Sequence, residues 1–193
     1  MRGNLVPDEE TSKEILKLRK QIETLQDELQ SSRELAPKGT ENLAQGEDGF
    51  IVHYTYAVAE KKKMDAKFSF EHEVTVSQES DSTMVSWNEI FAWLAPQIMD
   101  EATDQAVMQS LSGYITRKDI NKIRKKHEGF IVKELRVLRE DYDTIKVQFK
   151  ALGLIRKSEK QRSLKDRQTY WSLTPYGGQL MTRLRAISKA MET

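Results

Sequence analysis

The sequence contains no cysteine among its 193 residues. A disulfide, a thiolate nucleophile and a cysteine zinc site are therefore excluded, which fits a cytoplasmic protein. Histidine is almost as scarce, because only His53, His72 and His127 are present and none stands at metal-ligand spacing from another. We therefore expect neither a metal ion nor a cofactor.

Long apolar runs are also absent. No segment approaches the roughly 18 consecutive apolar residues that span a bilayer, so we expect no contact with a membrane. The N-terminal residues MRGNLVPDEE lack the apolar stretch of a signal peptide. The sequence therefore predicts a cytoplasmic protein.

Sequence motifs for catalysis are missing as well. The chain has no glycine-rich phosphate loop, no GxSxG or HExxH motif and no pair of carboxylates in a cleft-like context. Hydrophobic residues nevertheless make up 38% of the chain, which is enough for a modest core. We therefore expect a folded protein that is not an enzyme.

The most informative segment that is present begins at Asp143, which is a good helix N-cap. One apolar helical face follows it, made of Ile145, Phe149 and Leu152. Gly153 comes directly afterwards and suits the left-handed conformation that ends many helices. The pattern predicts an amphipathic helix over residues 143–153.

A basic loop between two short strands follows this helix. The first strand is predicted to begin at Leu154 and the second to cover residues 170–173, where aromatic and apolar residues resume. Thr174 followed by Pro175 is a good start for a closing helix. The cations of the loop are Lys157, Lys160, Arg162, Lys165 and Arg167. A helix, a basic wing and a second helix in this order are typical of a winged helix.

The two halves of the chain carry opposite charge, although the net charge is only +1. Residues 1–114 hold 11 Lys and Arg against 21 Asp and Glu, whereas residues 115–193 hold 20 against 9. A basic half that contains the wing is expected where a protein meets a polyanion such as nucleic acid. An acidic half that docks on a basic half, within one chain or between subunits, would produce the same asymmetry, so both interpretations stay open.

Residues 11–35 are predicted to form an isolated helix. Thr11 and Glu14 make a capping-box pattern, after which apolar residues fall on heptad positions a and d. This seam consists of Ile15, Leu18, Ile22, Leu25 and Leu29. Because Ile at a and Leu at d favour two parallel strands, residues 1–36 are predicted to form a homodimeric coiled coil; packing on the helix's own domain is the alternative. A linker is predicted over residues 37–49.

A β-hairpin is predicted over residues 50–83. Apolar and polar residues alternate over 50–58 and again over 68–76, so each strand has one face to bury. The lysine-rich stretch 60–65 suits the hairpin loop, and residues 78–83 are predicted to be a polar connection to the next region.

A winged-helix domain is predicted over residues 84–193. Ser86 and Glu89 form a capping box at its start. The helical stripe that follows consists of Trp87, Ile90, Phe91 and Leu94. Pro96 is expected to kink or restart this helix, and the helical run is expected to continue to Ile115.

A second basic helix face precedes the helix at 143–153. It carries Lys118 and Lys122 within the run RKDINKIRKK. Residues 130–138 are ambiguous, because their apolar residues have helical spacing whereas their β-branched content suits a strand. The spacing favours a helix there.

The run from Trp87 to Ile187 resembles the winged helix-turn-helix class in the order of its parts. A closer resemblance extends from about Glu14 to Ile187 and is carried by the segments KEILKLRKQI, GTENLAQGED, SWNEIFAWLAP, TIKVQFKALGLI and YWSLTPYGGQLMTRLRAI. These segments look like the C-terminal half of a bacterial family of unknown function whose N-terminal domain is TIR-like. This sequence does not include the TIR-like domain, so no effector chemistry is carried over to it. The resemblance implies a context of bacterial stress or antiphage defence.

The sequence thus predicts an α+β protein with an N-terminal coiled coil, a β-hairpin and a C-terminal winged helix. We expect a dimer that binds duplex DNA mainly through phosphates. The predicted contacts are Lys146, Gln148 and Lys150 on the recognition helix, Lys157, Arg162, Lys165 and Arg167 in the wing, and Lys118 and Lys122 on the second basic face. The alternative is a protein-interaction and assembly module that docks or regulates a partner effector without binding nucleic acid.

Overall fold

The structure is a computed structural model that describes residues 9–65, 68–163 and 165–187. The chain divides into two compact units, one ending at Ala36 and one beginning at Pro37. In chain order the elements are α1 (Glu9–Glu34), β1 (Gly49–Asp65), β2 (Phe68–Ser86), α2 (Trp87–Ile98), β3 (Ala102–Thr103), α3 (Asp104–Lys126), β4 (Ile131–Val137), α4 (Arg139–Ala151), β5 (Ile155–Lys157), β6 (Tyr170–Leu173) and α5 (Pro175–Arg185). This mixture of helices and antiparallel sheets confirms the α+β class. Among the described residues, no helix is both long and apolar enough to cross a membrane.

Helix α1 accounts for the described residues of the first unit up to Glu34. It is already helical at Glu9, so Thr11 lies within the helix and is not its N-cap. The seam residues Ile15, Leu18, Ile22 and Leu25 are between 40% and 62% exposed. The side chain of Leu29 lies outside the described part of the structure. Within its own unit, α1 therefore leaves this part of its apolar seam uncovered.

The first sheet of the second unit has three antiparallel strands in the order β2-β1-β4. Strand β1 is central, and its alternating apolar side chains point into the core. These buried residues are Val52, Tyr54, Tyr56 and Val58. The alternation predicted over residues 50–58 is therefore confirmed.

Three predictions about this sheet are wrong. Residues 60–65 continue β1 where a loop was expected, residues 78–83 belong to β2 where a polar connection was expected, and residues 130–138 contain β4 where a helix was favoured. The reason is that β2 and β4 both pair with β1 along their length. Main-chain hydrogen bonds to a neighbouring strand outweigh polar composition and helical spacing in these segments.

The segment over residues 37–49 belongs to the second unit and contacts the start of α2, although its composition predicted a linker. The Thr40 side chain is buried, and its hydroxyl donates to the Pro37 carbonyl oxygen at 2.9 Å. The backbone N–H of Asn88 donates to the Gly46 carbonyl oxygen at 2.8 Å. These contacts hold the segment against the start of α2.

Helix α2 begins as predicted. Ser86 is its N-cap, and Ser86 and Glu89 exchange the two hydrogen bonds of a capping box at 3.2 and 2.9 Å. The predicted stripe of Trp87, Ile90, Phe91 and Leu94 is buried. Pro96 lies inside the helix, which ends at Ile98, and strand β3 interrupts the run that was expected to reach Ile115.

The second sheet consists of three short antiparallel strands in the order β3-β6-β5. Ala102 in β3 pairs with Trp171 in β6, and this pairing explains why the helical run stops before α3. The strand predicted over residues 170–173 is confirmed as β6. Thr174 caps α5 as predicted, because its hydroxyl accepts a hydrogen bond from the Gly177 N–H at 2.9 Å.

Helix α4 starts four residues earlier than predicted. It begins at Arg139, so Asp143 is not its N-cap and lies inside the helix. There the Asp143 carboxylate pairs with Arg139 at 3.0 Å and with Lys146 at 2.9 Å. The residue at the true N-cap is Leu138, which makes no side-chain capping hydrogen bond, so the sequence carries no capping signal at this point.

The C-terminus of α4 agrees with its prediction. Gly153 has a φ of 67°, in the left-handed region that favours glycine. Its N–H donates to the Lys150 carbonyl oxygen at 3.0 Å, and the N–H of Leu154 donates to the Phe149 carbonyl oxygen at 2.8 Å. This pair of hydrogen bonds is a Schellman motif, which ends the helix and turns the chain into β5.

A matched pair of glycines in α5 allows a test of this packing. A Cβ atom at Gly177 would overlap the carbonyl oxygen of Leu154, a backbone atom that has no rotamer to move away. We expect Gly177→Ala to lower the free energy of unfolding by about 1–3 kcal/mol, as overpacking does. A Cβ at Gly178 meets nothing within 4 Å, so Gly178→Ala should be neutral or stabilise by roughly 0.5–1 kcal/mol. Denaturant unfolding measures both, and equal stabilities would contradict the close approach of α5 to Leu154.

Candidate nucleic-acid interface

The nine residues predicted to bind nucleic acid form two groups. Five already have a partner within the chain: Lys118, Lys122, Lys146, Gln148 and Arg162. Four are exposed and have no side-chain partner among the described residues: Lys150, Lys157, Lys165 and Arg167. Fewer of the predicted contacts are therefore free to bind a polyanion than the sequence indicates.

Lys146 points into the protein. Its side chain is 15% exposed, and its ammonium group lies 2.8 Å from Asp104 Oδ1 and 2.9 Å from Asp143 Oδ1. The same ammonium group lies 4.7 Å from the ring centroid of Tyr142 and 5.7 Å from that of Trp171. Two carboxylates and two aromatic faces already surround this cation, so the folded domain leaves little of it for a phosphate.

Asp104, the first residue of α3, is the centre of this cluster. Besides Lys146, its Oδ1 accepts from the Trp171 indole N–H at 2.9 Å and lies 3.1 Å from the Tyr142 hydroxyl, and its Oδ2 lies 3.1 Å from Arg139. Burial alone would raise the pKa of Asp104, but hydrogen bonds from Lys146 and Trp171 outweigh burial and lower that pKa. One carboxylate therefore joins α3, α4 and β6. Sequence analysis missed it, and the available signal was only an acidic residue in the first turn of a helix.

The outward face of α4 offers little for reading bases. The Gln148 side-chain amide donates to the Ala44 carbonyl oxygen at 2.5 Å, so it is not free to recognise adenine. The exposed residues of this face include Val147, which is 67% exposed, and Lys150. One exposed lysine beside an exposed valine suits contact with a nucleic-acid phosphate or with a protein surface better than recognition of bases.

The opposite charges of the two halves are in part paired within the chain. Ion pairs between a cation of residues 115–193 and a carboxylate of residues 1–114 include Lys118–Glu89, Lys122–Asp81, Lys133–Glu73, Arg139–Asp104, Lys146–Asp104 and Arg162–Glu101. At α3, at β4 and in α4, cations of the basic half therefore pair with carboxylates of the acidic half. The described cations of the loop between β5 and β6, apart from Arg162, do not take part in these pairs.

That loop, residues 158–169, is the wing of the sequence prediction, and it is fastened to the turn before β3. The Glu101 carboxylate accepts hydrogen bonds from the Ser158 hydroxyl and the Arg162 guanidinium, and these donors lower the pKa of Glu101. Arg162 also lies 3.4 Å from the ring centroid of Tyr170. Glu101 has a φ of 111°, which is rare for a residue with a side chain. Arg162 therefore orders the wing, a role that the sequence did not predict.

The four predicted contacts without a side-chain partner among the described residues lie in three consecutive segments of the chain. Lys150 lies in the last turn of α4, Lys157 ends β5, and Lys165 and Arg167 lie in the wing. Arg156 of β5 is exposed as well, although it was not among the predicted contacts. An anchored loop with several unpaired cations is suited to binding a polyanion through its charges.

Comparison of the chain with protein-family models, with curated proteins and with solved structures finds no match. Within the part of the chain that the structure describes, no three His, Asp or Glu side chains converge where they could hold a metal ion. The role of the domain must therefore be inferred from its own residues.

Proposed function

We propose that the chain is a dimeric winged-helix protein that binds duplex DNA mainly through phosphate contacts made by its wing. The winged-helix interpretation is supported by the order α2, β3, α3, β4, α4, β5, β6, in which β4 joins the other sheet, and by the strand order β3-β6-β5, which places a basic loop between the last two strands. The single observation that carries the proposal is the set of exposed cations without a side-chain partner among the described residues that lie at the end of β5 and in this loop: Lys157, Lys165 and Arg167.

Phosphate contacts are favoured over base contacts because α4 presents so few free polar side chains. Lys146 and Gln148 are engaged within the domain, which leaves Lys150 as the one predicted contact on this helix that is unpaired among the described residues. Phosphate contacts carry no sequence information, so duplexes of unrelated sequence should bind with similar affinity.

The salt dependence of binding tests the proposal. Each phosphate neutralised by a cation contributes about 0.9 to the slope of log affinity against log salt concentration. Replacing Lys157, Lys165 and Arg167 together with alanine should therefore flatten this slope by about 2 to 3. Fluorescence anisotropy with short labelled duplexes at several salt concentrations measures the change.

A matched triple variant removes the same charge from elsewhere. Lys118, Lys122 and Lys133 each pair with a carboxylate, so their joint replacement with alanine should change the slope by less than about 1. Equal flattening by the two triple variants would contradict the assignment to the wing. If the wild-type protein shows no salt-dependent binding at low ionic strength, the nucleic-acid proposal fails.

Docking of a partner effector is the second candidate function. It is favoured by the exposed Val147 on α4 and by the inward engagement of Lys146 and Gln148. The resemblance to the tail of a TIR-bearing bacterial family implies the same role in a defence context. In that case the unpaired cations of the wing would face an acidic protein surface.

Helix α1 is the part of the chain that we propose makes the dimer. Its apolar seam lies exposed on a 26-residue helix that forms a unit of its own. An isolated helix gains most of its stability from packing an apolar face, and a second copy offers the same seam.

A charge placed in the seam should separate the subunits. Leu25→Asp would bury a carboxylate in the proposed interface, so we expect light scattering to report monomers. Leu16 is exposed too but lies off the heptad seam, and Leu16→Asp should remain dimeric. A dimeric Leu25→Asp protein would place the interface elsewhere, and a monomeric wild-type protein would overturn the proposal.

A further inference from the structure

Two acidic residues lie at the wing, the loop over residues 158–169 to which the proposed function assigns phosphate contacts. Asp166 lies in the wing between Lys165 and Arg167, and Glu101 lies in the turn that leads into β3. A carboxylate repels the phosphates of a polyanion, so two of them beside the proposed contacts need an explanation. The hydrogen bonds that both carboxylates accept supply it.

Glu101 fastens the first part of the wing. Its carboxylate accepts hydrogen bonds from the Ser158 hydroxyl and the Arg162 guanidinium, and its side chain is only 19% exposed. A φ of 111° is unfavourable for a residue other than glycine, and such a conformation persists only where the surrounding structure enforces it. The turn before β3 therefore keeps a rare backbone conformation in which the Glu101 carboxylate meets the wing.

Tyr170 of β6 connects this contact to Asp166. The guanidinium of Arg162 lies 3.4 Å from the ring centroid of Tyr170, and the Tyr170 hydroxyl donates to Asp166 Oδ2 at 3.0 Å. Asp166 Oδ1 in turn accepts from the backbone N–H of Gln168 at 3.0 Å. Side-chain contacts therefore run without a break from the turn before β3 to the residue that separates the two exposed cations of the wing.

The backbone of the wing is held at Asp166 as well. The Asp166 N–H donates to the Ser163 carbonyl oxygen at 2.9 Å. Lys165 and Arg167 are the chain neighbours of Asp166, so fixing this residue limits the directions that both cations can take. A side chain on an ordered backbone loses less conformational entropy on binding than one on a free loop. The ordered wing is therefore suited to bind a phosphate more tightly than the same cations on a loose loop.

We propose that Glu101 and Asp166 are positioning residues for phosphate binding, an inference that rests on the proposed function of the wing. The two carboxylates hold the wing in the conformation that presents Lys165 and Arg167 to a phosphate backbone. The order that they impose outweighs the repulsion that they add. Loss of either carboxylate therefore weakens binding, whereas loss of a carboxylate that acts through its charge alone would strengthen it.

Glu101→Gln in the full chain tests which of the two effects is larger. The variant keeps the size of the side chain and removes its charge, so the wing loses its ion pair with Arg162. We expect a labelled duplex to bind about tenfold more weakly, because binding must then order the wing. The slope of log affinity against log salt concentration should change by less than about 1, since the cations of the wing remain. Fluorescence anisotropy at several salt concentrations measures both quantities.

Glu159→Gln is the matched control. Glu159 is exposed in the same loop and has no side-chain partner among the described residues. Its replacement removes the same charge from the wing without loosening it. The affinity for the duplex should therefore stay unchanged or rise slightly.

Tyr170→Phe tests the link to Asp166 without changing any charge. It keeps the ring beside Arg162 and removes the hydroxyl that donates to Asp166. We expect about threefold weaker binding of the duplex, the scale of one lost hydrogen bond. Hydrogen exchange of the wing amides, measured by mass spectrometry without nucleic acid, should be faster than in the wild type in Tyr170→Phe and in Glu101→Gln. It should be unchanged in Glu159→Gln.

The inference is overturned if Glu101→Gln binds the duplex as tightly as the wild type or more tightly, or if Glu101→Gln and Glu159→Gln have equal effects. Wing amides that exchange at the wild-type rate in both Glu101→Gln and Tyr170→Phe overturn it as well. A salt slope that steepens by about 0.9 in Glu101→Gln would show that Glu101 blocks Arg162 from a phosphate, which is the opposite of positioning.

These outcomes leave the salt-dependent binding of the wild-type protein, and with it the proposed function, intact. Absence of that binding overturns the proposed function and this inference together, so the two failures are distinguishable. If Glu101→Gln does not fold, Tyr170→Phe decides the question, because it removes one hydroxyl from a half-buried side chain. Wild-type affinity in Tyr170→Phe would then overturn the inference.

Discussion

Replacing Asp104 with alanine is expected to lower the free energy of unfolding by about 3 kcal/mol, the scale of loss when one partner of a buried ion pair is removed. Its side chain is largely buried and accepts hydrogen bonds from Lys146 and Trp171. Without the carboxylate, the indole N–H of Trp171 loses its acceptor and Lys146 keeps only Asp143. Three elements, α3, α4 and β6, lose the group that joins them.

Asp143→Ala is the matched control. The Asp143 carboxylate pairs with Arg139 and Lys146, the same two cations that Asp104 holds, but its side chain is 47% exposed. Exposed ion pairs contribute up to about 1 kcal/mol, so we expect a loss of that size or smaller. Urea unfolding of both variants gives the comparison. Similar losses for Asp104→Ala and Asp143→Ala would contradict the central place of Asp104.

The pH dependence of Asp104→Asn isolates the contribution of charge. Burial opposes ionisation, but hydrogen bonds from Lys146 and Trp171 outweigh it and hold the pKa of Asp104 below the ordinary value of about 3.9. A lowered carboxyl pKa stabilises the fold above the pKa of the unfolded chain, and this stabilisation is lost as the pH falls through the lowered pKa. The stability difference between wild type and Asp104→Asn should therefore be complete near neutral pH and shrink below about pH 4. A difference that persists unchanged in acid would show that its source is not the charge.

Short-range signals predicted the boundaries of several elements correctly. The capping box of Ser86 and Glu89, the Thr174 cap and the stop at Gly153 all depend on residues within a few positions of each other. Such interactions form whatever the rest of the chain does, so a sequence pattern is sufficient to locate them. The buried faces of α2 and β1 follow from periodicity for the same reason.

Strand β4 and the full extent of β2 could not be predicted in this way. Their residues are strands because β1 lies beside them, and the pairing partners are remote in the chain. Tyr54, for example, pairs with Val137. Composition and local spacing contain no information about a neighbour at that separation.

The partners that engage Lys146, Arg162 and Gln148 within the fold could not be predicted for the same reason as β4. Lys146 has the composition and helical position of a phosphate contact, but its partner Asp104 is 42 residues away. Arg162 is held by Glu101 at a separation of 61 residues, and Gln148 is held by Ala44 at a separation of 104. Counting cations on a predicted helix or loop therefore overestimates the charge that a folded domain leaves free.

Phe149→Ala should lower the free energy of unfolding by about 3–5 kcal/mol, the usual cost of truncating a buried phenylalanine. Phe149 is fully buried, and its ring meets Phe91 at a centroid distance of 5.2 Å and Trp87 at 6.0 Å, both edge to face. These aromatic contacts join α4 to α2, and each adds about 0.5–1.5 kcal/mol beyond the buried area. A loss of this size is a large share of the roughly 5–15 kcal/mol that holds a domain folded.

Val147→Ala, two residues away on the exposed face of α4, is the control for that experiment. It removes apolar atoms that are already in water, so the stability should change by no more than about 0.5 kcal/mol. Thermal and denaturant unfolding of the two variants tests which face of α4 is buried. An unchanged melting temperature in Phe149→Ala, or a larger loss in Val147→Ala, would mean that the inward face of the helix has been misassigned. The positions of Lys146, Gln148 and Lys150 relative to the surface would then have to be assigned again, because all three follow from the rotation of this helix about its axis.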